Sequence, residues 1–379
     1  MPPSEKPEKR GKKVRVPFRR NRSPRRRDIN WTDEARQSDG QDVEAVQREQ
    51  VVSRGDLSRQ RTIKVPDEID ASPDLLRGVV TAARGLYCEV DDGRRIVSCT
   101  VRRVMRTRKI EERSAVTVGD KVRFRVEAEG GGAAPEGVIE SVEPRRGVLR
   151  RIAGRRVQIL AANVDQAVIV ASADQPPPRP HLMDRYIVAA LDGDITPVIC
   201  LNKMDLDEHG LAAELAERYR ALGYAVLCTS AVTDTNVDAF AEMLHNKESV
   251  ICGLSGVGKS SLLNAVQPGL GLKVGDVNEQ LSRGRHTTTT AALIRLDAGG
   301  YVVDTPGIRT FDLSFMDRGQ FEACYVEFLP HIEHCKFADC THRHENGCAV
   351  KDAVERGEIH PQRYDSYVHL FEEPGLMPE

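Results

Sequence analysis

Four continuous apolar runs alternate with helix-like stretches between residues 164 and 256, and this alternation limits the fold more than any other feature. The runs are DQAVIVASAD, ITPVICLNK, YAVLCTSA and ESVICGLSG. Unbroken runs of Val, Ile and Ala are typical of strands buried on both faces of a parallel sheet. The segments between them, such as LAAELAERYRALG, have apolar residues at helical spacing and a glycine at the end. The sequence therefore predicts a doubly wound α/β domain.

A different pattern precedes this domain. Short runs rich in Val, Ile, Phe and Tyr lie between residues 75 and 150 and are separated by turn signals such as Asp92-Gly93. Four or five strands in about 75 residues predict a small antiparallel β-barrel, and the oligonucleotide-binding (OB) fold is the leading type. This fold supports many functions, so RNA contact is one hypothesis among them. A basic patch favours it: Arg102, Arg103, Arg106, Arg108 and Lys109.

The N-terminal segment is strongly basic. Residues 1–27 hold twelve Lys or Arg against two Glu, a net charge of +10, although the whole chain has a formal charge of −2. Such a segment has too little apolar content to fold, so we expect residues 1–72 to be a disordered tail and linker. The tail either keeps the protein in solution or contacts the phosphates of nucleic acid, and we favour the second.

The nine cysteines are scattered, and no secretory signal precedes them. This pattern argues against a disulfide framework and favours a reducing compartment, so a cytoplasmic location is expected. The longest apolar runs are far shorter than a bilayer span, and no membrane contact is expected. We take the chain as a monomer.

The last apolar run of the α/β domain leads into GLSGVGKS, which has the spacing of a phosphate-binding loop. Its backbone N–H groups and the following helix N-terminus attract phosphates, Lys259 reaches the terminal phosphates, and the Ser260 hydroxyl binds Mg²⁺. A glycine turn that binds nothing is disfavoured by the strand and helix on either side. We expect nucleotide contacts from Gly253, Leu254, Ser255, Gly256, Val257, Gly258, Lys259, Ser260 and Ser261.

The tetrapeptide NKMD at the end of another strand indicates guanine. The Asp205 carboxylate can accept hydrogen bonds from the ring N–H and the exocyclic amine of guanine, a pair that adenine does not offer. Asn202 can meet the carbonyl side of the base, and Lys203 can lie along the ring. A further strand ends at TSA, where a backbone N–H can bind the guanine oxygen. The predicted base-binding residues are Asn202, Lys203, Met204, Asp205, Ser230 and Ala231.

A third motif, DTPG, also follows a strand. Asp304 is expected to hold Mg²⁺ through water, and the N–H of Gly307 to sense the γ-phosphate. The polar loop SRGRHTTTT, residues 282–290, should cover the phosphates. One of its threonines, Thr288 by preference, would complete the Mg²⁺ shell, but the sequence does not fix which of the four acts.

The order of these motifs is unusual, because NKMD precedes the phosphate loop by about fifty residues. In an open α/β sheet, ligands bind outside the carboxyl ends of the strands in whatever order the chain visits them. Joining the usual ends of such a domain and cutting it after DTPG gives this order. Domain termini commonly lie close together, so a circular permutation of this kind is tolerable.

Four metal-ligand residues cluster near the C-terminus, in CKFADCTHRHENGC, with the spacing C-x4-C-x-H-x5-C. Three thiolates and one imidazole form a closed tetrahedral set, which is typical of one structural zinc ion. Reduced cysteines without metal are the alternative. The thiolates are those of Cys335, Cys340 and Cys348, and the imidazole is that of His342 or of one of its rivals, His331, His334 and His344.

The permuted order, NKMD, GLSGVGKSSLLNAV, GRHTTT, DTPG and the cysteine spacing together resemble the RsgA (YjeQ) family of bacterial small ribosomal subunit biogenesis GTPases. The resemblance runs from about residue 76 to 370. It implies an OB-fold barrel at 75–150, a circularly permuted P-loop GTPase domain at 160–318 and a mostly helical zinc-binding domain at 319–379. In that last domain it implies Cys335, Cys340, His342 and Cys348 as the zinc ligands. It also implies that the protein binds the 30S subunit and 16S rRNA during late assembly, hydrolyses GTP to GDP with ribosome stimulation, and is then released.

The usual water-orienting residue of GTPases is replaced in this chain. Many GTPases place a glutamine directly after the DxxG glycine, but this chain has Ile308 there. The resemblance assigns hydrolysis to His286, whereas an exposed loop histidine is the alternative. Two other function classes stay open: a passive RNA-binding protein with a vestigial nucleotide site, and a metabolic kinase that uses the same loop.

Overall fold

The computed structural model describes residues 11–17, 60–66, 75–84, 87–101, 115–128, 136–153, 156–272, 291–304, 316 and 318–372. The basic patch of residues 102–109 lies outside these ranges. No helix in the described ranges is long and apolar enough to cross a membrane.

Two strands lie in the N-terminal segment for which disorder was expected. Strands β1 (Gly11–Pro17) and β2 (Gln60–Pro66) pair antiparallel, with Val14 opposite Ile63. Both strands contain β-branched residues, which favour extended backbone. These two stretches therefore depart from the disorder predicted for residues 1–72, and the rest of that segment lies outside the described part of the chain.

The predicted β-barrel is confirmed. Its five strands are β3 (Leu76–Arg84), β4 (Tyr87–Asp91), β5 (Ile96–Val101), β6 (Lys121–Ala128) and β7 (Glu136–Val142). They pair in the order β3-β4-β5-β7-β6, and β6 returns to β3 to close the barrel. The inward side chains of alternate residues form the core, which includes Val80, Val90, Val97, Phe124 and Ile139.

A short hairpin leads from the barrel to the next domain. Strands β8 (Leu149–Ala153) and β9 (Arg156–Ala161) pair antiparallel. The chain after β9 is fastened to the barrel, because Asn163 Nδ2 donates to the carbonyl of Gly119 at 2.7 Å. Arg145 and Asp120, both buried, pair at 2.7 Å on the same side. The connection between the two domains is therefore an ordered, hydrogen-bonded one.

The described residues of the α/β domain form six strands: β10 (Gln166–Ser172), β11 (Thr196–Asn202), β12 (Ala225–Cys228), β13 (Glu248–Cys252), β14 (Ala292–Arg295) and β15 (Tyr301–Asp304). Their order in the sheet is β12-β11-β10-β13-β15-β14. All neighbours are parallel except β14 and β15, which form the predicted antiparallel hairpin. The fully buried run β10 lies at the centre, as its unbroken apolar sequence requires.

Four helices cover the two faces of this sheet: α1 (Pro180–Asp192), α2 (Leu211–Ala221), α3 (Val237–Leu244) and α4 (Lys259–Val266). Proline at the first position of α1 fits the helix N-terminus, where its missing N–H costs nothing. Helices α1 and α2 pack with one side of the sheet, and α3 and α4 with the other. The doubly wound architecture is confirmed.

The C-terminal region is helical, as predicted. It contains α5 (Arg318–Ala323), α6 (Leu329–Ile332), α7 (Ala349–Glu355) and α8 (Pro361–Phe371). The aromatic rings of Phe321, Tyr325, Phe328 and Tyr367 pack against one another in stacked, tilted and edge-to-face pairs and form its centre. This centre is continuous with the hydrophobic core under α1 and α2. The boundary proposed between residues 318 and 319 falls in the first turn of α5.

Candidate nucleotide site and metal centre

The predicted nucleotide motifs come together at one edge of the sheet. NKMD follows β11, TSA follows β12, and the phosphate loop follows β13. Because β10, β11, β12 and β13 are parallel, the carboxyl ends of these strands point the same way. The reversed order along the chain therefore does not separate the motifs in space.

The phosphate loop, residues 253–258, requires glycine at two positions. A Cβ on Gly253 would lie 2.0 Å from the carbonyl oxygen of Val170, and a Cβ on Gly258 would lie 2.2 Å from Asn202 Nδ2. Both glycines also have a positive φ, 135° and 95°, a conformation that side chains disfavour. The loop is therefore packed directly against the ends of β10 and β11.

Lys259 lies at the first position of α4 and is buried with its ammonium group turned back onto the loop. Nζ donates to the carbonyls of Gly253 at 2.9 Å and Leu254 at 2.7 Å. Burial lowers the pKa of this lysine. Both of these acceptors are neutral carbonyl oxygens, so neither neutralises the buried positive charge. The position therefore fits a lysine that binds phosphate oxygens. Ser260 follows it, also buried, at the helix N-terminus.

Asn202 ties three loops together. Its side chain is 1% exposed. Nδ2 donates to the carbonyl of Val257 in the phosphate loop at 2.9 Å, and Oδ1 accepts from the Thr229 hydroxyl at 3.2 Å. The tetrapeptide alone predicted contact with the base and did not predict this link. The ends of β11 and β12 are therefore held in a fixed position relative to the phosphate loop.

The side chain of Ser230 orients Asp205. The sequence predicted only a backbone N–H contact from the TSA segment that contains Ser230. The Ser230 hydroxyl donates to Asp205 Oδ1 at 2.5 Å, and the Thr233 N–H donates to the same hydroxyl at 3.2 Å. Lys203 has a left-handed backbone, and its Nζ donates to the carbonyl of Gln175 at 2.6 Å. The carboxylate keeps Oδ2 for another donor, which fits the paired N–H groups of guanine.

Several predicted residues lie outside the described part of the chain. They are His286, Thr288 and Gly307. Asp304 is the last residue of β15, where its backbone lies opposite Ala292 of β14. The roles of these four residues in Mg²⁺ binding and hydrolysis stay predictions.

Cys335, Cys340, His342 and Cys348 form the predicted metal cluster, with all four ligand atoms within 4.8 Å of one another. His342 Nδ1 lies 3.5 Å from Cys335 Sγ and 3.4 Å from Cys348 Sγ, and the two sulfurs are 4.0 Å apart. Zn–S and Zn–N bonds of about 2.3 and 2.0 Å give tetrahedron edges of about 3.8 Å between sulfurs and 3.5 Å from sulfur to nitrogen. The cluster fits one zinc ion held through Nδ1 of the histidine.

The rival imidazoles do not join this cluster. His334 and His344 have side chains that are mostly exposed, and His331 faces Glu358 instead. The remaining ring nitrogen of His342, Nε2, is buried and faces Glu322 Oε1 at 3.8 Å. A carboxylate on that side is the usual support of a metal-bound imidazole.

Glu345 is a further residue of the centre that sequence reasoning missed. It accepts hydrogen bonds from the N–H and hydroxyl of Thr341, at 2.7 and 2.5 Å, and from the N–H of Arg343 at 3.0 Å. Burial opposes its ionisation, but these hydrogen bonds hold the pKa of Glu345 well below its usual range. Burial also raises the pKa of the Cys340 thiol to about 12. Thiols in this setting need a bound cation to ionise, which a zinc ion supplies.

Comparisons with known proteins agree with this geometry. The sequence pattern of the family described as RsgA GTPase matches residues 142–314. The chain is 44% identical over 260 residues to the "Small ribosomal subunit biogenesis GTPase RsgA" of Chromohalobacter salexigens, covering 68% of this chain and 75% of that protein. It is 39% identical over 308 residues to the protein of the same name from Chlorobaculum parvum, covering 79% of this chain and 98% of that one.

Two solved structures have the same overall arrangement. The crystal structure of YjeQ from Thermotoga maritima matches with a TM-score of 0.63 and 35% identity, covering 78% of this chain and 97% of that one. The structure of YloQ, described as a circularly permuted GTPase, matches with a TM-score of 0.61 and 32% identity, covering 80% and 96%. The overall fold described above is therefore similar to that of solved proteins.

Proposed function

Because the chain belongs to the RsgA GTPase family, we propose that it is the GTPase that acts in biogenesis of the small ribosomal subunit, with hydrolysis stimulated by the 30S subunit and release afterwards. The observation that carries this proposal is the link between Asn202 and Val257, which joins the base-binding and phosphate-binding loops at one sheet edge. The link holds both loops in the relative position that a nucleotide spanning them requires.

Guanine selectivity is assigned to Asp205. Ser230 fixes one oxygen of its carboxylate, and the carboxylate can still accept two parallel hydrogen bonds from guanine. Adenine presents no such pair of donors, and bringing an unpaired carboxylate out of water is unfavourable. The site should therefore prefer GTP and GDP over adenine nucleotides.

Two metal ions are part of the proposal. Mg²⁺ would be held with the phosphates by the hydroxyls of Ser260 and Thr288 and, through water, by Asp304, and it neutralises charge that develops on the phosphates. Zinc would be held by Cys335, Cys340, His342 and Cys348, all but Cys335 buried, and it fixes the loop between α6 and α7. His286 is proposed to orient the attacking water, in place of the glutamine that Ile308 replaces.

The barrel and the zinc-binding region are proposed to contact 16S rRNA, and the protein to work as a monomer in the cytoplasm, where the subunits are assembled. The barrel topology supports RNA contact, since OB-folds commonly bind oligonucleotides. The basic residues 1–27 would add sequence-independent attraction to the phosphate backbone.

One experiment separates this proposal from its rivals. Turnover of GTP and of ATP is measured with and without 30S subunits and with no other acceptor. We expect GTP hydrolysis that rises on addition of 30S subunits. Binding to 30S subunits without any turnover would point to a passive RNA-binding protein. ATP turnover that is absent in this assay and starts only after a small-molecule acceptor is added would point to a kinase.

A further inference from the structure

The barrel meets the GTPase domain at the hairpin β14–β15. Ala82 of β3 pairs with Ala292 of β14, and Ala292 pairs with Asp304 of β15. Asp304, which is proposed to hold Mg²⁺, is therefore separated from the barrel strand β3 by the single strand β14. This pairing joins the barrel and the α/β sheet into one hydrogen-bonded sheet of 11 strands.

A second contact holds the other end of the same hairpin. Arg295 and Tyr301 face each other across β14 and β15. Both donate to the carboxylate of Asp91 at the end of barrel strand β4, Tyr301 through its hydroxyl at 2.9 Å and Arg295 through Nη1 at 3.2 Å. Asp91 is 4% exposed. One buried carboxylate of the barrel thus ties both strands of the hairpin.

The hairpin is also the neighbour of the phosphate-loop strand. Tyr301, Val302 and Val303 of β15 pair in parallel with Glu248, Ser249 and Val250 of β13. The β13 strand leads directly into the phosphate loop. Tyr301 is therefore held by its backbone to the phosphate-binding strand and by its hydroxyl to the barrel. Burial and the adjacent Asp91 raise the pKa of Tyr301 to about 12, so the hydroxyl keeps its proton and donates.

We propose that Asp91 is a positioning residue for GTP hydrolysis: it holds β15, and with it Asp304, at the correct distance from the phosphate loop. Asp91 acts through Arg295 and Tyr301 and does not touch the nucleotide. The barrel then has a part in turnover beyond any contact with RNA. This inference rests on the GTPase activity proposed above.

Displacing β15 should affect GTP hydrolysis more than it affects GDP binding. The phosphate and base contacts of GDP come from loops after β11, β12 and β13, which Asp91 does not touch. Asp304 acts where charge develops on the γ-phosphate. A small displacement of β15 should therefore reduce the rate of the chemical step more than it reduces affinity for GDP.

The test compares Asp91→Asn and Tyr301→Phe with the control Asp92→Asn. Asp92 follows Asp91 in the chain, but its carboxylate accepts from the N–H groups of Arg94 and Arg95 and faces the Arg95 guanidinium at 3.9 Å, all within the barrel turn. The kcat and KM for GTP are measured with and without 30S subunits, and the affinity for GDP by titration. Tyr301→Phe removes only a hydroxyl, so it keeps the test valid should Asp91→Asn fold poorly.

We expect each of the two variants to lower kcat by about tenfold, the effect of losing one hydrogen bond to a charged group, with GDP affinity unchanged. The double variant should lose little more than either single one, because both weaken the same attachment of the hairpin β14–β15 to the barrel. The inference is overturned if both variants keep the kcat of the unaltered protein, if kcat and GDP affinity fall together, or if Asp92→Asn loses as much. Absence of turnover in the unaltered protein would instead remove the proposed function itself.

Discussion

Arg363 of α8 and Asp184 of α1 form a buried ion pair, with Nη1 2.5 Å from Oδ1. Glu327 pairs with the same guanidinium at 2.6 Å, and the Tyr219 hydroxyl of α2 donates to Asp184 at 2.7 Å. The zinc-binding region is therefore fastened to α1 and α2, the helices that follow β10 and β11. The barrel is fastened to the opposite part of the sheet, at β14.

Arg363→Met should destabilise the protein strongly. It leaves the carboxylates of Asp184 and Glu327 buried without a counter-charge, which costs about 3–5 kcal/mol. Urea denaturation measures the change in the free energy of unfolding. The matched control is Arg356→Met, which breaks the exposed pair with Glu358 and should change little. An equal loss of unfolding free energy in both variants would contradict the conclusion that the Arg363–Asp184 pair holds the two domains together.

Gly258→Ala should abolish tight nucleotide binding. The added methyl group would meet Asn202 Nδ2 at 2.2 Å, and the residue would have to keep a φ of 95°. A loss of affinity for GDP of more than about tenfold is expected, because a displaced loop loses several phosphate hydrogen bonds. Gly269→Ala is the control, since nothing lies within 4 Å of its Cβ position and its φ is not positive. Titration with a fluorescent GDP analogue reports both.

Asp205→Asn should change the base that is preferred. An amide at this position offers an N–H toward the base, which suits the second carbonyl of xanthine and not the amine of guanine. We expect a loss of affinity for GDP of about tenfold or more and a gain for XDP. Competition binding with the two nucleotides measures the switch. Glu208→Gln, at an exposed site three residues later, should leave the preference for guanine unchanged.

His342→Ala should remove the bound zinc, whereas His344→Ala should retain it. Among the described histidines, His342 is the one that brings a ring nitrogen to the three sulfurs; the His344 side chain is mostly exposed. Metal analysis of the purified proteins should give one zinc per chain for the unaltered protein and for His344→Ala. Thiol titration should then find Cys335, Cys340 and Cys348 more reactive in His342→Ala, because the metal no longer protects them. Equal zinc content in both variants would refute the assigned ligand.

Glu248 should make stability dependent on pH. It lies at the start of β13, faces Lys121 of the barrel at 3.8 Å, and burial raises its pKa to about 7. The pKa of Glu248 is higher in the folded than in the unfolded protein, so the folded protein binds the proton more tightly. This contribution to the free energy of unfolding is complete below about pH 4.5 and is lost as pH rises to about 7. The shift corresponds to up to about 3 kcal/mol.

Urea denaturation at pH 5.5 and pH 8 tests this dependence. Glu248→Gln should be less sensitive to pH over this interval than the unaltered protein. Glu242→Gln, at an exposed position of α3, should keep the sensitivity. The same slope in Glu248→Gln as in the unaltered protein would rule out Glu248 as the titrating group.

The sequence alone predicted the barrel, the doubly wound domain with its hairpin, the nucleotide motifs and the four metal ligands. These features depend on local patterns: apolar alternation decides which residues are buried, glycine decides where a loop can turn back on the sheet, and ligand spacing decides which side chains reach one ion. The circular permutation could also be predicted, because the carboxyl ends of parallel strands meet at one edge of the sheet whatever the order of the strands along the chain.

Only the tertiary structure decided how the parts are held together. Asp91 and Arg295 are 204 residues apart, and Arg363 and Asp184 are 179 residues apart. No local pattern marks either pair, since each residue alone is typical of a surface position. Strand register and helix packing bring them together, and burial then makes each charge depend on its partner. The motifs thus follow from the sequence, whereas the attachment of the barrel to β14 and of the zinc-binding region to α1 follows from the fold.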